Sequence, residues 1–96
     1  MTTSVSTIAT EHGSRYLQQV CKHFAHEIPV SFDPMAGHID FPIGAVDLDA
    51  DARGLTITVT PTDAEQGEAL RDVVAHHLVR FAFREELAVD WQTRAA

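Results

Sequence analysis

Between Ile28 and Val59 the chain alternates apolar and polar residues in four successive runs, each ended by turn-forming residues. Ile28, Val30 and Phe32 form the first apolar set, and Ile39 and Phe41 the second. Val46, Leu48 and Ala50 form the third, and Leu55, Ile57 and Val59 the fourth. A period of two places every member of a set on the same side of a strand. The connections, Asp33 to His38, Pro42 to Ala45 and Asp51 to Gly54, are rich in Asp, Pro and Gly, which favour tight reversals. Pairing Ala50 with Leu55 sets Leu48 against Ile57 and Val46 against Val59. Pairing Phe41 with Val46 sets Ile39 against Leu48 and Asp40 against Asp47. All the apolar residues then share one face, and a one-residue slip destroys that agreement. The pattern predicts an antiparallel meander.

A sheet with one apolar face needs a cover, and two amphipathic segments supply it. Thr10 is the expected N-cap of a helix running to about His26, with Leu17, Val20, Cys21 and Phe24 as its apolar stripe and Tyr16 at the edge. Gly13 lies on the same side and permits a close helix-to-sheet approach. Thr62 and Glu65 have the spacing of a capping box. They open a second helix whose stripe is Leu70, Val73, Val74, His77, Leu78 and Phe81, ending near Arg84 or Glu86. Thr3 to Thr10 reads as a further strand. The expected fold is a two-layer α+β domain over residues 3–92, order β-α-β-β-β-β-α, with an antiparallel meander sheet and both helices on one face. Trp91 is expected to dock as an apolar anchor on a short added strand, followed by a flexible tail over 93–96.

Chain length is consistent with one core. For 96 residues and 10.6 kDa, surface scaling predicts a folded area of roughly 5,500 Å². Fourteen acidic against seven basic residues give a formal charge of −7. That field repels phosphate backbones and anionic lipid, which disfavours nucleic-acid and membrane-surface partners. Cys21 is the single cysteine, so no internal disulfide forms. With no apolar window long enough to span a bilayer and no basic leader at the N-terminus, a cytoplasmic location is expected.

The chemistry-bearing residues concentrate on the helices. His77 occupies an apolar-stripe position, where an imidazole needs a hydrogen-bond partner or a polar cleft. His23, on the flank of the first helix, lines the same cleft if the helices are neighbours. Arg80 and Arg84 follow His77 on the second helix, and Arg15 and Lys22 add positive charge on the first. Such a cluster suits a small anion. Ion pairs from Arg80 and Arg84 to Glu85 and Glu86 are the competing structural role. His23 and His26 have chelating spacing but no evident third ligand, so no metal site is assigned. Asp40 and Asp47 are expected as facing carboxylates on a solvated sheet face. Cys21 lies within an apolar stripe and reads as packing. No nucleophile elbow, glycine-rich phosphate loop or H-E-x-x-H motif is present. Three functions fit the residues: a noncatalytic module binding a small anion or a protein, an enzyme using His77 as acid or base beside His23 or Tyr16, and a histidine-based metal module.

Several segments carry a family resemblance. They are Arg15-Tyr16-Leu17-Gln18-Gln19 with Cys21-Lys22-His23-Phe24, then Phe41-Pro42 with Gly44, then His77 through Glu85, and Trp91. Over roughly residues 5–91 the chain resembles a small bacterial family catalogued as domain of unknown function 2218. The resemblance marks Arg15, Tyr16, Lys22, His23, His77, Arg80 and Arg84 as candidate ligand-binding positions and transfers no catalytic role or cofactor. Similar domains are sometimes attached to siderophore-interacting flavin reductases, which implies a siderophore-related flavoprotein as a partner and an accessory role in iron metabolism.

Overall fold

The computed structural model describes residues 2–82 and 85–95. Six strands form one antiparallel sheet: β1 (Thr2–Ala9), β2 (Val30–Phe32), β3 (Ala36–Phe41), β4 (Gly44–Asp51), β5 (Gly54–Pro61) and β6 (Gln92–Ala95). Their spatial order is β2-β3-β4-β5-β1-β6. Helices α1 (Gly13–Phe24) and α2 (Gly67–Phe81) cover one face, with a short 3₁₀ turn, Ala64–Gln66, leading into α2. The expected α+β architecture and element order are observed, with β6 as the added strand. Pairing of β6 with β1 means that residues 93–95, expected as flexible tail, are part of the sheet.

The apolar sets point where their period requires. Ile39, Val46, Leu48, Leu55, Ile57 and Val59 are fully buried beneath Leu17, Val20, Cys21, Leu70, Val74 and Leu78 of the helices. Partly buried Trp91 packs against this core. The accessible surface of 5882 Å² is close to the scaling expectation.

Three local expectations are corrected. First, the β4–β5 register is the predicted one, with Leu48 opposite Ile57, but β3 is displaced by two residues against β4. Phe41 faces Gly44, Ile39 faces Val46, and Asp47 faces His38 rather than Asp40. The connection shrinks to Pro42-Ile43, and a shift of two leaves every side chain on its original face, so periodicity cannot distinguish the registers. Second, β3 begins at Ala36, because the Asp33 carboxylate accepts from the amides of Met35 and Ala36 and closes the turn early. Third, the helix starts are displaced. Asp63, not Thr62, accepts from the Gln66 amide, while the Thr62 hydroxyl donates to the Ile43 carbonyl. Thr10 accepts from the His12 amide, and α1 begins only at Gly13. It ends at Phe24, short of His26, and α2 ends at Phe81.

Gly13 meets the expectation of close approach. A Cβ there would lie 2.7 Å from the Gly54 carbonyl oxygen. Gly54 is itself at φ +156°, and a Cβ on it would strike the Ile8 carbonyl. The start of α1 is therefore seated directly on the β4–β5 turn.

Candidate binding site

The two helices lie side by side on the sheet, and their neighbouring edges carry histidine. The stripe of α1 directs Leu17, Val20 and Cys21 into the core, which leaves His23 on the flank turned toward α2. On α2, burial of Leu70, Val74 and Leu78 puts His77 at the rim of the same seam. The rings of His23 and His77 are 4.8 Å apart, centre to centre. Phe24 meets His77 edge-on at 4.9 Å, and Phe81 meets His23 at 5.8 Å. Phe24 also packs edge-on against Phe41 of β3, which ties the cluster to the sheet.

His77 Nδ1 lies 2.8 Å from the Val73 carbonyl oxygen. That oxygen only accepts, so Nδ1 carries the hydrogen and Nε2 is the ring nitrogen left for another partner. This is the backbone-carbonyl arrangement that allows an imidazole at the edge of a core. His23, His77, Arg80 and Phe81 line a cavity of about 330 Å³. It offers two imidazoles, one guanidinium and an aromatic face, and among the described residues no carboxylate lines it.

The remaining candidate residues lie elsewhere. Arg15 and Lys22 are exposed on α1. Tyr16 is buried and does not line the cavity. Its hydroxyl donates to Glu85, whose carboxylate also accepts from Thr10 Oγ1 at 3.1 Å. Glu85 is thus held by hydroxyls and not by the Arg80 ion pair expected as the structural alternative. Burial, followed by the bond to Glu85, raises the Tyr16 phenol above its ordinary value. The bond from Tyr16 is the largest cause holding Glu85 below the usual carboxylate value. Arg84 lies outside the described residues, and Glu86, the other expected helix end, is not helical. Cys21 is fully buried, and burial pushes its thiol up to about 11, which fits packing rather than thiolate chemistry. Among the described residues, no group of three or more His, Cys, Asp or Glu is placed to hold a metal ion.

On the open face of the sheet the expected Asp40 and Asp47 form a second polar cluster with His38, the member that sequence reasoning missed. His38 Nδ1 is 2.6 Å from Asp47 Oδ1, and its Nε2 is 2.9 Å from Asp40 Oδ1. With both nitrogens against carboxylates, the imidazolium form donates twice, and the hydrogen bonds to Asp47 and then Asp40 raise the His38 pKa above 6.5. The corrected β3–β4 register creates this arrangement, since it sets His38 opposite Asp47. The clue available in the sequence was His38 two residues before Asp40, on the same strand face.

An NMR structure of PA4090 from Pseudomonas aeruginosa is similar over 96% of both chains, with 34% sequence identity and a TM-score of 0.79. No curated protein matches the chain. Residues 5–92 match the model of the family described as "Uncharacterized protein conserved in bacteria (DUF2218)". With nearly all of its length inside that match, the chain belongs to the DUF2218 family.

Proposed function

We propose that this protein is a noncatalytic binding module that takes a small anion in the seam between α1 and α2. The observation that carries the reading is the convergence of His23, His77 and Arg80 on one cavity with Phe81 as its aromatic wall. The guanidinium provides a planar fork for a carboxylate or phosphate. The protonated form of His77 adds an N–H from Nε2 without giving up its anchor on Val73. The phenylalanine supplies an apolar surface that limits the water reaching the bound charge. Although the whole molecule carries −7, the described residues of the lining are basic or apolar.

The family resemblance adds ferric siderophores to the candidate anions and a siderophore-related flavoprotein to the candidate partners. Catalysis by His77 requires a second group engaged with the same substrate. Tyr16, one suggested assistant, is committed to Glu85, so an acid–base reading rests on the His23–His77 pair alone.

The test is a titration of isotope-labelled protein with phosphate, butyrate, citrate and an anionic ferric tris-catecholate, read by chemical-shift mapping. The reading expects saturable shifts centred on His23, His77 and Phe81 for at least one probe, weakened in Arg80→Gln. Shifts confined to other surfaces, or none at millimolar probe, overturn it.

A further inference from the structure

Arg80 lines a second cavity as well as the histidine seam. On its other side lies a groove of about 550 Å³, walled by Ala75 and Val79 of α2 and by Leu87 and Val89 of the segment leading to β6, with Asp72 and His76 also lining it. Val79 is 50% exposed. A single exposed valine is ordinary, but here it joins three other apolar side chains in one concavity, two of which rest on the core and hold the wall in place. Arg80 is therefore common to the lining of a polar cavity and of a mainly apolar one.

We infer that the ligand is an amphipathic monoanion, a medium-chain aliphatic carboxylate, with its carboxylate at Arg80 beside His23 and His77 and its alkyl chain in the groove against Val79, Leu87 and Val89. This deepens the anion-binding reading and rests on it. Charge placement selects the class. Arg80 supplies the complement for one carboxylate. Asp72 lies eight residues earlier on the same helix, about 12 Å along its axis, and opposes a second negative charge at that level. A dicarboxylate is therefore disfavoured, and a neutral tail is accepted. The groove's apolar walls give such a tail the usual gain for removal from water, up to about fourfold in affinity for each methylene buried.

The experiment is a series of acetate, butyrate, hexanoate and octanoate, all free in solution, titrated into the full chain and into Arg80→Gln and Val79→Asn. Val79 is exposed, so its replacement leaves the core intact, and the amide spectrum verifies the fold of each variant. The inference expects affinity to rise stepwise with chain length and shifts to spread from His23 and His77 to Val79, Leu87 and Val89. It also expects Val79→Asn to flatten the chain-length dependence, with the loss greatest for octanoate, and Arg80→Gln to weaken every member. If short carboxylates bind at the histidines but affinity does not grow with length, the amphipathic assignment falls and the anion site stands. If no member of the series perturbs the histidines, and phosphate and citrate do not either, both fall. Octanoate shifts at Val79 and Leu87 that Arg80→Gln leaves unchanged overturn the assignment of the carboxylate to Arg80. Concentration-dependent broadening at Val79 without any octanoate effect identifies a second copy of the chain as the occupant and also overturns the proposal.

Discussion

At the residue scale, Gly13 and His38 show how much depends on a single side chain, or on its absence. Alanine in place of glycine within a helix ordinarily stabilises by about 0.5–1 kcal/mol. At Gly13 the added Cβ would sit 2.7 Å from a backbone oxygen of Gly54, which cannot rotate away. Gly13→Ala is expected to reverse the usual sign and destabilise by about 1–3 kcal/mol, read as a lower urea midpoint. The sequence made this contact legible, because Gly13 falls on the apolar side of α1. The His38–Asp47 contact was not legible, because it depends on the β3–β4 register. The imidazole is expected to titrate above 6.5, and Asp47→Asn to bring the midpoint down, as followed by the ring proton shifts. Because the folded-state pKa is raised, the associated stability is fully present below 6.5 and is lost as pH rises through the raised value. The side chains of His38, Asp40 and Asp47 are 42%, 59% and 47% exposed, so solvent screening keeps the contribution small. An unchanged midpoint in Asp47→Asn contradicts the arrangement.

At the element scale, the period-two pattern identified the strands and their buried faces but could not choose between registers two residues apart. Helix stripes were equally legible: Leu17, Val20, Cys21, Leu70, Val74 and Leu78 are all buried. Helix starts were less so, because Thr62 and Asp63 both have capping side chains and only the carboxylate reaches the Gln66 amide. The segment after α2 was the least legible. Glu85 has no periodic signal, yet it ties that segment to the start of α1 through Tyr16 and Thr10. Its carboxyl is lowered from 4.5, so this tie contributes stability above 4.5 that is lost as pH falls through the lowered value. Tyr16→Phe removes the first cause of that shift. Acid unfolding of the variant, followed by Trp91 fluorescence, is expected to show lower stability at neutral pH and a shallower decline below pH 4.5. An acid profile parallel to that of the parent protein contradicts the tie.

At the scale of the whole molecule, one sheet face bears both helices, and the shared seam follows from that layering. Histidine at an apolar-stripe position was the signal that located the seam in the sequence. The groove beyond Arg80 gave no such signal, because Leu87 and Val89 reach Val79 only through the path of the chain after α2. The most direct measurement is an isotope-filtered NOE experiment on labelled protein with saturating octanoate. The account predicts contacts from the His23 and His77 rings to the methylene beside the carboxylate, and from the Val79 and Leu87 methyl groups to the far end of the chain. Octanoate contacts confined to other surfaces, or an absence of contacts to both histidines, would contradict it.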